Sequence, residues 1–169
     1  DPTLKYNREK KSEIKLSLFF KEESEYYKNR LQKNSIDFTI FLEDDFSISI
    51  NRGKIVQIID NLISNSEYWL IKLKGNDPNC KPSITIKIES PWIYFYDNGY
   101  GISPAIENML FEPFVTTKPK GEGRGLGLFI IQQLLDSSKC TIALEPFRNE
   151  HGRKYIFAIN FSNIINEYK

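Results

Sequence analysis

Residues 83–96 constrain the fold most. SITIKIE (Ser83 to Glu89) alternates apolar and polar positions, and WIYFY (Trp92 to Tyr96) follows across Ser90 and Pro91 alone. Two period-two runs this close read as a β-hairpin. A second hairpin is expected across Asn149 to Gly152, joining Thr141–Phe147 to Lys154–Phe161. Further strands are expected over Ile36–Leu42 and Phe46–Ile50, with a turn at Asp44 and Asp45, and Ile14, Leu16 and Leu18 alternate as a short edge strand. Hairpins of this kind set the chain apart from the βαβ alternation of a parallel sheet.

Helices interrupt these strands. One is expected from about Leu18 to Lys33, with Ser17 as N-cap and Phe19, Phe20, Tyr27 and Leu31 on its apolar side. A long one follows over Lys54–Leu73, a short one is started by Ser103 and Pro104, and another covers Leu126–Leu135. GNDPNCKPS (Gly75 to Ser83) is turn-rich and reads as a surface loop. The fold class is therefore α+β: a two-layer α/β sandwich whose mixed, mainly antiparallel sheet is covered on one face by helices, with a flexible lid.

The chain has 169 residues, enough for one domain with a hydrophobic core. Residues 1–12 read as a linker from an upstream element, 13–163 as the domain, and 164–169 as a tail. With Asp1 in place of Met, the chain is expected to be part of something longer. A net charge of +1 gives no electrostatic case for a nucleic-acid partner. No apolar run approaches the roughly 18 residues of a membrane helix, so no membrane contact is expected. Cys80 and Cys140 form neither a disulfide framework nor a metal spacing, which points to a reducing compartment, the cytoplasm.

Three segments carry the chemistry: NLISN (Asn61 to Asn65), YDNGYGI (Tyr96 to Ile102) and KGEGRGLGL (Lys120 to Leu128). With Asn61 at zero on a helical wheel, Asn65 lies about 40° away, while Ile55, Ile59, Leu62, Leu70 and Leu73 cluster near 100–180°. The asparagines form a polar edge beside the core stripe, where a ligand can sit; solvated helix residues would show the same spacing. Asp60 and Glu67 fall on other faces. Asp97 ends an aromatic strand and is followed by Asn98, Gly99 and Gly101. A carboxylate accepts hydrogen bonds only, so it suits the exocyclic amine of adenine and meets another acceptor in guanine. The same residues also suit an ordinary hairpin turn. Gly121, Gly123, Gly125 and Gly127 precede or open a helix, whose free N–H groups favour phosphate. Thr116, Thr117, Lys118, Lys120 and Arg124 add hydroxyls and cations. The spacing fits neither a P-loop nor a dinucleotide fingerprint, and a flexible linker remains an alternative.

In this order the three segments resemble the GHKL ATP-binding superfamily of histidine kinases, DNA gyrase, mismatch-repair ATPases and heat-shock chaperones. They are most similar to the ATP-binding catalytic domain of sensor histidine kinases. The N box is matched by Asn61, Leu62 and Asn65, with Ser66 in place of Ala; the G1 box by Asp97, Gly99 and Gly101; the F box by Phe111–Lys118; and the G2 box by Gly123–Leu128. The resemblance implies ATP and Mg²⁺ as cofactors. Asp97 would hold adenine, Asn65 would ligate Mg²⁺ through its amide oxygen, and Asn61 would contact phosphate or metal-bound water. Lys118, Arg124 and the N–H groups of Gly125–Gly127 would hold the phosphates. Trp69, Gly99, Gly101, Ile102, Thr116, Thr117, Gly123, Leu126 and Leu128 complete the expected nucleotide contacts, and Asn61, Lys118 and Arg124 the catalytic set.

The resemblance implies an ATP-dependent protein histidine kinase acting on a histidine-bearing dimerisation and acceptor domain upstream on the same polypeptide, with a response regulator downstream. There are departures. Tyr68 stands where many histidine kinases carry Lys or Arg, Lys154 stands near a frequent Thr position, and the acceptor-histidine segment is missing, since His151 falls in a hairpin turn. The alternatives are an ATPase acting as a conformational switch, or a non-catalytic nucleotide-binding module. The switch branches carry Glu at the position of Asn61, and an amide cannot serve as a general base.

Overall fold

The computed structural model describes residues 10–165. The expected linker and tail fall outside them apart from 10–12 and 164–165. Seven strands and three α-helices follow in chain order: β1 (Ser12–Lys15), α1 (Leu16–Gln32), β2 (Asp37–Asp44), β3 (Ser47–Ile50), α2 (Arg52–Asn76), β4 (Ser83–Glu89), β5 (Trp92–Asp97), α3 (Gly127–Asp136), β6 (Thr141–Leu144) and β7 (Ile156–Asn160). Short 3₁₀ helices span Pro104–Met109 and Ser162–Ile164.

The main sheet has the order β2-β4-β5-β7-β6, and only its β2–β4 pair is parallel. Both expected hairpins are present. The alternation of β4 sends Ile84, Ile86 and Ile88 inward, and β5 adds Ile93 and Phe95. The helices cover that face: α1 packs on β2, and α2 packs against α3 and β4. Fully buried Phe19, Phe20 and Tyr27 of α1 lie in the same core, each large apolar side chain contributing about 1.5–3 kcal/mol. This is the expected two-layer sandwich.

The N-terminal region departs from expectation. Ser17 is not the N-cap of α1. The helix starts at Leu16, after a Lys15 cap that makes no side-chain bond. Ser17 sits in the first turn, where its backbone N–H donates to Asp45 Oδ1 at 3.1 Å and its hydroxyl donates to the same carboxylate. The Leu16 N–H donates to the Phe46 carbonyl at 3.0 Å. A carboxylate 28 residues away thus satisfies the helix start and faces the positive end of its dipole. Leu16 is therefore a buried helix residue, while Leu18 is half exposed. The Asp44–Asp45 turn also separates its two strands rather than pairing them: β2 joins β4, and β3 pairs antiparallel with β1 in a second, two-stranded sheet.

Elsewhere the shifts are small. The Asn51 side chain accepts from the Lys54 N–H at 3.3 Å and starts α2 two residues before Lys54. Ser103 precedes the 3₁₀ helix, but its side chain makes no cap bond. β6 stops at Leu144, leaving Phe147 exposed, and β7 starts at Ile156 rather than Lys154.

Candidate functional site

One cavity, of about 530 Å³, opens between α2, the end of β5, the 3₁₀ helix and the segment leading into α3. Its polar end is built on Asp97. Ser66 Oγ donates to Asp97 Oδ2 at 2.5 Å, and the Gly99 N–H donates to Oδ1 at 2.8 Å. Burial pushes the Asp97 carboxyl above its ordinary range, and these two bonds oppose that rise. Gly99 fits closely here: a Cβ would lie 3.0 Å from Asp97 Oδ1 and 3.2 Å from Leu70 Cδ2, so these side chains would have to give way. Gly101 has φ +88°, and a Cβ there would meet Arg153 and Asn149 at 2.8 Å.

The apolar wall comes from Leu62, Ile102, Ile106 and Leu110, with Trp69 and Tyr100 also on the lining. Asp97, Trp69, Gly101 and Ile102 all line this cavity. Asn65 lies nearer the other end, which is formed by Thr116, Thr117, Lys118, Gly123, Arg124, Gly125, Leu126, Gly127 and Leu128. Here α3 begins at Gly127 behind Leu126, which provides no side-chain cap bond, so its first N–H groups suit an anion. Gly125 has φ +70° and packs so closely that a Cβ would stand 2.5 Å from the Phe114 carbonyl carbon. The Phe114 N–H donates to the Gly125 carbonyl at 2.9 Å. Phe114 itself points outward and is 74% exposed.

Within residues 113–124, the expected lid, Lys118 and Glu122 reach side chains of α2. Lys118 Nζ donates to Asn65 Oδ1 at 3.3 Å and stands 4.5 Å from the centroid of the Tyr68 ring. Burial holds its pKa below the ordinary lysine value. Asn65 Oδ1 therefore already accepts a cation, which suits the amide oxygen to a hard divalent ion. Among the described residues no group of three or more His, Cys, Asp or Glu gathers to hold a metal. A magnesium ion here would take most of its oxygen ligands from phosphate and water.

Two expected contacts do not line the cavity. Asn61 is not on the lining, though its Nδ2 is 3.5 Å from the carbonyl of Gly127, which is, a long contact against the start of α3. Gly99 supports Asp97 from behind. Glu67 faces α1, paired with Arg30 at 2.8 Å, and Asp60 accepts from the Tyr27 hydroxyl at 2.7 Å. Lys154 stands 3.9 Å from Glu107 and is not on the lining. His151 lies exposed in its hairpin turn, 5.8 Å from the Tyr100 ring.

Ser66, Tyr100, Arg153 and Tyr155 join the cavity without having been expected there. Ser66 had a signal: on the α2 wheel it falls near 140°, inside the apolar stripe, where a hydroxyl needs a partner. Among the described residues it is the one buried polar side chain. Arg153 and Tyr155 come from the distant β6–β7 connection, and no local pattern points to them.

The model of the family "Histidine kinase-, DNA gyrase B-, and HSP90-like ATPase" matches residues 50–163. Among similar proteins, the two-component sensor PprA of Pseudomonas aeruginosa is 34% identical over 88 residues, 48% of this chain and 9% of that protein. The sensor protein kinase PilS of the same organism is 28% identical over 139 residues, 81% of this chain and 25% of its own length. This chain thus spans a quarter or less of either relative. The solved catalytic domain of histidine kinase ThkA superposes with a TM-score of 0.67 at 25% identity, covering 90% of this chain and 98% of that one. Among the described residues no helix is long and apolar enough to cross a membrane. A family match across both asparagines, Asp97 and the glycine loop agrees with the site's construction: the chain belongs to the histidine kinase-, DNA gyrase B- and HSP90-like ATPases, in the company of sensor histidine kinases.

Proposed function

We propose that residues 13–163 form the ATP-binding catalytic domain of a sensor histidine kinase. It donates the ATP γ-phosphate to a histidine on a separate acceptor domain, upstream on the same polypeptide, from which a response regulator is served. The observation that carries this reading is Asp97, an anchored, acceptor-only carboxylate at the end of a cavity whose other end is a glycine loop with two cations. When bound, ATP supplies the phosphoryl group, and Mg²⁺ offsets its charge. Asp97 accepts from the adenine amine, with Trp69 and Ile102 beside the base. Asn65 offers its oxygen to the metal. Thr116, Thr117, Lys118, Arg124 and the N–H groups of Gly125–Gly127 meet the phosphates, and Asn61 contacts phosphate or metal-bound water.

Phosphoryl transfer depends mainly on positioning and charge stabilisation. Asn61 cannot deprotonate water and Glu67 is committed to Arg30, so the site suits delivery of an imidazole better than hydrolysis. The reading places the domain in the cytoplasm, with neither nucleic acid nor membrane as partner. Titration of the wild-type chain and Asp97→Asn with ATP and GTP in Mg²⁺ tests it. Wild type should prefer ATP, and the substitution should weaken ATP binding by about 1.5–3 kcal/mol. Equal affinity of the wild type for both nucleotides would remove the adenine assignment.

A further inference from the structure

Four side chains meet at the phosphate end of the cavity. Tyr68 and Lys72 stand one turn apart on α2, and Lys118 and Glu122 stand four residues apart in the lid. The Tyr68 hydroxyl donates to Glu122 Oε2 at 2.6 Å, while the Lys118 ammonium lies over the ring of the same residue at 4.5 Å. Lys72 Nζ is 3.8 Å from Glu122 and 5.6 Å from the Tyr68 centroid. One phenol thus meets a cation with its face and an anion with its hydroxyl.

The consequence lies in what Lys118 is not given. It is held by a ring face and by the neutral amide oxygen of Asn65, and no carboxylate among the described residues forms an ion pair with it. An aromatic face positions an ammonium without cancelling its charge, whereas a carboxylate seat would have to be broken before an anion could be met. Glu122, the acid four residues along, is occupied by the Tyr68 hydroxyl and Lys72.

We propose that Tyr68 is a positioning residue: its ring seats Lys118 beside Asn65, and its hydroxyl holds Glu122 away, so that an unneutralised lid cation awaits the polyphosphate. This rests on the nucleotide reading above. The test is calorimetric titration of the 169-residue chain with ATP and with adenosine. Tyr68→Leu should weaken ATP binding roughly 3- to 30-fold, the range of a cation–π contact, and leave adenosine binding unchanged. In a Lys118→Met background, Tyr68→Leu should add nothing. Tyr68→Phe keeps the ring but releases Glu122, so its smaller loss of ATP affinity should be restored by Glu122→Gln. Equal weakening of ATP and adenosine, or the same effect with and without Lys118, overturns the seat while ATP binding by the wild type keeps the nucleotide reading. No ATP binding by the wild type removes both.

Discussion

Replacing Ser66 with Ala separates the two forces that act on Asp97. Burial raises its carboxyl pKa, and the hydrogen bonds from Ser66 and Gly99 pull it back down. The 2.5 Å bond from Ser66 goes to a charged acceptor, a class worth about 1.5–3 kcal/mol. Its loss leaves burial less opposed and raises the Asp97 pKa further. Adenine needs the ionised form as acceptor, so ATP affinity falls as pH drops through that pKa. The midpoint of this fall should therefore move to higher pH in Ser66→Ala. Folding stability carries the opposite sign: a raised carboxyl pKa means the folded state binds more protons, so stability declines as pH rises from the ordinary carboxylate value through the folded one. Ser66→Ala should extend that decline to higher pH. The family's N box has Ala at this position, so the backbone should tolerate the change. Calorimetric adenosine titrations over a pH series, free of the phosphate ionisation of ATP, read the midpoint directly. An unchanged midpoint with intact folding would refute the assignment of Asp97 as the ionised partner of adenine.

Asp45→Ala should destabilise the chain by about 1–2 kcal/mol in urea melts, the cost of losing a helix N-terminal cap, although Asp45 lies outside α1; an effect within a few tenths of a kcal/mol would mean that water replaces it without loss. Asn65→Ala should reduce ATP affinity more in Mg²⁺ than in EDTA, and an equal fall in both would exclude it as a metal ligand. Alone, the chain should turn ATP over far below the order of 1 s⁻¹ usual for enzymes and carry no phosphohistidine; adding an acceptor domain in trans should yield acid-labile, base-stable phosphoprotein. Steady hydrolysis near that rate would favour a switch ATPase.

The parts of this fold that could be read locally are those whose causes are local. The alternation of Ser83–Glu89 and Trp92–Tyr96, the glycines before α3 and the wheel of α2 all depend on near neighbours in the chain. The start of α1 could not be read this way, because Ser17 looks like a cap until Asp45 arrives from another turn. Nor could the partners of β2 and β3, whose strand character is plain but whose pairing is decided by distant segments. At the site, Asp97, Asn65 and Lys118 announced themselves by type and order. Asn61 and Gly99 share the motif yet are not on the cavity lining, since a motif fixes spacing along the chain and not which side of a helix or turn meets the opening. Arg153 and Tyr155 reach the cavity through tertiary folding alone.

The parallel pairing of β2 with β4 has a further consequence. Phe38 is opposite Ile84, and the chain between them includes all of α2. That helix is the crossover that lets the two strands lie side by side, so the parallel pairing closes around it. The helix brings Asn65 and Ser66, and β4 is hydrogen-bonded to the strand that ends in Asp97. Pairing β2 with β4 thus brings the two walls of the cavity together. A ligand gripping Asn65 and Asp97 clasps the crossover to the strand it made possible, and amide protons of β2, α2, β4 and β5 should slow together when nucleotide is added, as a single foldon.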